Sequence, residues 1–255
     1  MDRPGGLSYY GADRQAVFAG RTRGEITAMD RYFVGVDFGQ AQDFTVIAVV
    51  ERAETTGAWD AAKFAWRKEV SLQLRYLERI AKGTPYPNVV ERVVQVTRSP
   101  ELAGRCRLAV DGTGVGRSVV DLLRREGPGC VLMAVNITSG SQQTSGGGYY
   151  GVPKRDLILG LQVLLQRGLL RIAAGLEHGA ELVREMAAMQ VKISPAGHEQ
   201  FAAWREGTHD DLVFAAAIGC WNAQNAYPND PAGGEQWWTN RHEADAARIF
   251  RKKQG

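Results

Sequence analysis

No stretch of this 255-residue sequence approaches the ~18 uninterrupted apolar residues that a membrane helix requires. The opening residues, Met1-Asp2-Arg3-Pro4-Gly5-Gly6, have no apolar core of a signal peptide, so export is not expected. Cysteine is scarce. Cys106, Cys130 and Cys220 are far apart in sequence, odd in number and without a CxxC pair, which argues against a disulfide framework and a structural zinc site. Free thiols in a reducing cytoplasm are the expectation. The sequence holds no GxxxxGK[ST] run, and hydrolysis of a nucleotide by the P-loop route is excluded. There is no internal repeat. Charge of one sign is also lacking: the net charge is +3, too small a bias to establish nucleic-acid binding, although it permits a local basic face.

What is present is an ordinary globular composition. Apolar residues make up 44% and charged residues 23%, close to soluble-domain averages, so disorder of the whole chain is not expected. The length suits one large domain with extensions. Residues 1–30, rich in Gly, Arg and Asp, read as an irregular lead-in, 31–225 as the compact domain, and 226–255 as a polar tail with a basic end, Arg248 to Lys253.

The first sharp signal is Tyr32-Phe33-Val34-Gly35-Val36-Asp37-Phe38-Gly39, a short buried strand that ends in an acidic residue and a glycine. Further β-rich runs at 44–50 and about 63–70 predict an antiparallel meander. Pro87 and the valines at 89, 90, 93, 94 and 96 predict a helix that stops at Pro100. A second strand ending in Asp, 107–111, is followed by Gly112-Thr113-Gly114, then by a helix over 118–125 and a strand over 131–137. A helix between two such strands is a parallel crossover. The segment 139–148 (SGSQQTSGGG) reads as a flexible surface loop, and with Tyr149 and Tyr150 it is either a strip against DNA or a passive connection. Pro153 opens a helix to 166, a short strand covers 169–172 and a helix 177–190. A hairpin turns at Pro195-Ala196-Gly197, and Thr208 caps a helix over 209–222 with Asp210 and Asp211 in its first turn.

Asp37 and Asp111 thus end short apolar strands, and Asp210 and Asp211 open a helix. Carboxylates from two strand ends and one helix start can meet at one sheet edge. Their hard oxygens suit Mg²⁺ or Mn²⁺, and two such ions can activate a water and stabilise a leaving oxygen in phosphodiester cleavage. Without cations the clustered charges would raise one another's pKa. Singly, an Asp after a strand is an ordinary turn residue and an Asp in a first helical turn an ordinary dipole partner. The repeated strand–Asp–Gly pattern with His209-Asp210-Asp211-Leu212 carries the joint reading. Asp43 could orient a water or only make its turn. Lys154 and Arg155 could contact DNA phosphate or be solvated, and His209 could be a base, an outer partner or a surface residue.

Taken in order, Val34 to Gly39 with Asp43-Phe44-Thr45, Leu108 to Gly114, Pro153-Lys154-Arg155-Asp156-Leu157 and His209 to Val213 resemble the C-terminal nuclease domain of tailed-bacteriophage large terminase subunits over about 31–225. The resemblance implies an α/β, RNase H-like mixed sheet, its first three strands antiparallel and later ones parallel, with helices on both faces. It implies a metal-dependent endonuclease that cuts double-stranded viral DNA concatemers in the host cytoplasm. It maps the catalytic, metal-holding positions to Asp37, Asp111 and Asp211, with Asp210 supporting or replacing Asp211. Implied partners are an ATPase domain, a small terminase subunit and a portal protein, with no membrane. Two departures stand out: Phe214 occupies a position where some relatives have an Asp, and the ATPase domain that the family usually carries is not within these 255 residues, so the chain is expected to be either an excised nuclease domain or a free-standing relative. A junction resolvase, an RNA/DNA-hybrid nuclease and an inactive docking module share this fold and remain alternatives.

Overall fold

The computed structural model describes residues 31–39, 43–62, 64–114, 116–193, 199–203 and 210–225. The expected lead-in at 1–30, Pro195-Ala196-Gly197, Thr208, His209 and the basic tail lie outside the described residues. The elements are β1 (Arg31–Asp37), β2 (Thr45–Asp60), β3 (Ala65–Ile80), α1 (Tyr86–Thr97), β4 (Cys106–Asp111), α2 (Gly116–Glu126), β5 (Val131–Thr138), β6 (Thr144–Gly146), β7 (Tyr149–Pro153), α3 (Lys154–Gln166), β8 (Leu170–Ile172), α4 (Gly179–Ala188), β9 (Met189–Ile193), β10 (Glu199–Ala203) and α5 (Asp211–Asn225).

Eight strands form one mixed sheet in the order β6-β7-β5-β4-β1-β2-β3-β8, and β9 and β10 make a separate antiparallel pair. β1, β2 and β3 run antiparallel, while β4, β5 and β7 extend the sheet parallel to β1. The period-2 alternation of β1 sends Phe33 into one core and Val34 and Val36 into the other. The first core packs under α3, α4 and α5, and the second under α1 and α2. The chain therefore has the expected α/β, RNase H-like fold with helices on both faces.

Three local expectations change. β2 and β3 are 16 residues each, far longer than 44–50 and 63–70. Their polar half is stable in the sheet because its charges pair across it. Arg75 Nε donates to Glu51 Oε2 at 2.7 Å across the two strands, both side chains being buried, and Arg52 pairs with Glu54 along β2. A register shift between Val49 and Val50 lets both Leu74 and Leu77 reach one core, which breaks the alternation that would have marked the strand. The segment 139–148 is not a plain loop: β6 pairs with β7, the Tyr150 ring stands 5.8 Å from Trp221, and Trp221 Nε1 donates to Gln143 Oε1 at 3.4 Å. Finally, α5 starts at Asp211 and runs to Asn225, three residues past the expected end.

The helix α5 is buried from Asp211 to Ala223 without interruption. It reaches the sheet because glycines face glycines. A Cβ built on Gly35 would stand 2.2 Å from the Ala215 carbonyl oxygen and 2.4 Å from Gly219 N, so only a residue without a side chain fits. The three cysteines are free, Cys106 and Cys220 buried and Cys130 half-buried.

Candidate active site

Asp37 is the last residue of β1 and Asp111 the last of β4, and these strands are parallel neighbours with Val36 opposite Val110. The two carboxylates therefore leave adjacent strand ends on the same face, the one that Phe33 and Ala109 share and that α5 covers. α5 runs antiparallel to β1, with Gly219 beside Phe33 and Ala215 beside Gly35. From that last contact, two strand residues lead to Asp37 and four helical residues lead back to Asp211, about 6–7 Å along each element. The glycine contact thus delivers Asp211 to the same edge.

The electrostatics agree with this placement. Asp37 has its pKa raised well above the usual carboxylate value, first by burial and then by the charges of Asp111, Asp211 and Asp210, against a smaller opposite pull from Lys154. Asp111 is also raised by burial. The Thr113 side chain and N–H, the latter donating to Oδ1 at 2.8 Å, and the charge of Lys154 act against that rise. Asp211 is 6% exposed. The opening of α3 brings a cation in: Pro153 ends β7 at this edge, and Lys154 Nζ lies 3.6 Å from Asp210 Oδ2 and 4.4 Å over the Phe214 ring. Phe214 seats this lysine.

Of the five aspartates singled out in the sequence, Asp37, Asp111, Asp210 and Asp211 are thus gathered, and Lys154 sits among them. Arg155 follows it on α3, half-buried, and Asp43 is exposed in the turn before β2. Among the described residues, no group of three His, Cys, Asp or Glu side chains stands ready to hold an ion. The donor chemistry nevertheless fits a hard divalent cation: all the gathered acids are carboxylates, several like charges share a buried space, and a cation would offset the burial and repulsion that raise the pKa of Asp37.

Sequence reasoning missed Glu185 of α4, which is buried. Its Oε1 accepts from Arg79 Nη2 at 2.7 Å and its Oε2 from Leu212 N at 3.2 Å, beside Asp211. Burial pushes its pKa up to about 7, with Arg79 opposing and Asp211 adding to the rise. Nothing local marks it: in Glu181-Leu182-Val183-Arg184-Glu185 it reads as one more acid of an amphipathic helix.

No protein-family model matches the sequence, and no curated protein matches it. Solved structures do. The large terminase nuclease from thermophilic phage G20c superposes with a TM-score of 0.53 at 20% identity, covering 78% of this chain and 89% of that one. The same nuclease with bound magnesium gives 0.53 at 20% identity, over 79% and 89%. The nuclease domain of the large terminase subunit of bacterial virus Sf6, with manganese and beta-thujaplicinol, gives 0.51 at 12% identity, over 82% and 93%. At these identities the likeness is one of fold, and it is the RNase H-like fold that the sequence resemblance implied.

Proposed function

We propose that this chain is a divalent-metal-dependent endonuclease that cuts double-stranded viral DNA concatemers during genome packaging. The observation that carries the reading is the convergence on Asp37 of Asp111, Asp211 and Asp210, from two strand ends and a helix start. The bound magnesium and manganese of the similar nucleases support the same choice of ion.

Asp37, Asp111 and Asp211 would hold the ions, with Asp210 at the margin. Bound divalent ions supply a water nucleophile at neutral pH and neutralise charge on the leaving 3′-oxygen. The rest falls to the chain's own groups. The strand ends and the α5 N-terminus hold the carboxylates in place before the substrate arrives, so little reorganisation is needed at the reacting phosphate. Lys154, poised at 3.6 Å from Asp210, offers its ammonium to a phosphate oxygen, and Arg155 on the same helical turn contacts the backbone next to it. Asp43 orients solvent at the mouth of the site. A terminase ATPase domain, a small terminase subunit and a portal protein are the partners this role calls for.

A docking module offers no reason to bury several carboxylates together, since each unpaired charge costs free energy to desolvate. The test is plasmid cleavage at micromolar protein with Mn²⁺ or Mg²⁺, beside an Asp37→Ala control. Cleavage by the parent chain and not by the variant is expected. Intact plasmid, or undiminished cleavage by D37A, overturns the proposal. Branched and RNA/DNA-hybrid substrates belong in the same assay, where strong preference for either replaces the packaging role with a resolvase or hybrid nuclease.

A further inference from the structure

We infer that Glu185 and Arg79 are positioning residues for Asp211: the Glu185 carboxylate caps α5 from another helix and so fixes where that metal-holding aspartate stands. The inference rests on the proposed metal role of Asp211.

A helix leaves its first backbone N–H groups without intrahelical acceptors, and the side chain of the N-cap residue ordinarily accepts from one of them. Here the Asp210 carbonyl accepts the first helical bond, from Phe214 N at 3.0 Å, which makes Asp210 the N-cap. Its carboxylate, however, is turned toward Lys154. Glu185 takes its place as acceptor: Oε2 receives Leu212 N at 3.2 Å. An anion at this end of α5 is favoured by the helix dipole as well.

A buried carboxylate beside Asp211 would be costly unless it were held and balanced. Arg79, at the end of β3, does both, donating from Nη2 to Glu185 at 2.7 Å and from Nη1 to Glu181 at 3.2 Å. Its guanidinium also lies 4.9 Å over the Phe44 ring, next to the turn that follows Asp37. One arginine thus ties β3, α4 and the β1–β2 turn to the start of α5. Partners that orient a metal-holding side chain typically contribute roughly 10- to 100-fold in metal affinity.

Mn²⁺ affinity, measured by calorimetry on the full chain, tests this. Glu185→Gln keeps the shape but has a single acceptor oxygen for the guanidinium and the Leu212 amide together, and it should weaken Mn²⁺ binding by roughly 10-fold or more. Arg79→Lys keeps the charge without the fork and should give a smaller loss. Glu181→Gln, which touches Arg79 on its outer side only, should stay within about threefold of the parent, and this separates the cap from the rest of the ion-pair network. Leu212 amide exchange, read by NMR, should speed up in E185Q beyond what its melting temperature accounts for. Parent-like Mn²⁺ affinity and amide protection in E185Q and R79K overturn this proposal alone. A parent chain that takes up no Mn²⁺ overturns the metal reading itself. If E185Q does not fold, R79K decides in the same way.

Discussion

The site exists only because α5 lies against β1 at backbone contact, and Gly35→Ala addresses that contact directly. A methyl at Gly35 would stand 2.2 Å from the Ala215 carbonyl oxygen and 2.4 Å from Gly219 N. Both obstacles are backbone, so no rotamer change relieves them. Packed backbones bring carbon to carbonyl oxygen no closer than about 3.3 Å, so the helix must move away by about 1 Å. Overpacking a core ordinarily costs about 1–3 kcal/mol, and with no side chain free to yield, G35A should reach at least the top of that range. For a domain of this size that is a fall of roughly 6–12 °C in melting temperature. The displacement also carries Asp211 away from Asp37, and metal sites tolerate only about 0.2 Å. Mn²⁺ affinity should therefore fall even at temperatures where the variant is folded. The partner substitution sharpens the test. On Gly219 the added methyl meets the Val50 Cγ2 methyl at 3.1 Å, a side-chain atom that can give way, and alanine gains about 1 kcal/mol of helix propensity. G219A should stay within about 1 kcal/mol of the parent. Thermal melts in EDTA and Mn²⁺ calorimetry read both effects. G35A melting within 2 °C of the parent, or G219A proving the worse of the two, refutes the close-contact argument.

Two further outcomes follow from the charges. Since the folded pKa of Asp37 lies above its ordinary value, its contribution to stability is full below that ordinary value and is lost as pH rises through the raised one, at about 1.4 kcal/mol per unit. Asp37→Asn should therefore melt above the parent at pH 8 in EDTA, with the gap closing toward pH 4; a lower melting temperature at pH 8 contradicts the raised value. Mn²⁺ at a hundredfold excess over its Kd should stabilise the parent by about 2.7 kcal/mol, and D37N should gain little, which differential scanning fluorimetry will show. In the long hairpin, Arg75→Met removes the guanidinium of the buried Glu51 pair and should cost about 3–5 kcal/mol by denaturant titration; a cost below 1 kcal/mol means the pair does not support β2 and β3.

Much of this protein was legible in order. Short apolar runs ending in Asp marked β1 and β4 because a strand buried on both faces needs an unbroken apolar stretch, and its end is where polarity returns. Pro153 and the valine rows placed α3 and α1 for equally local reasons. The full length of β2 and β3 was not legible, because a buried charge such as Glu51 is satisfied by Arg75, 24 residues away on the other strand. Nor was the tethering of 139–150, whose partner Trp221 is remote.

By itself, the sequence determined that three acidic positions end strands or open a helix, since strand ends and helix starts follow from local pattern. The tertiary structure decided that they meet, through the Gly35–Ala215 contact that no spacing encodes. It also decided that Lys154 turns inward among them, and that Glu185 rather than Asp210 caps α5. Such choices depend on which backbones approach closely and which charges share a buried space, and those are properties of the packed chain.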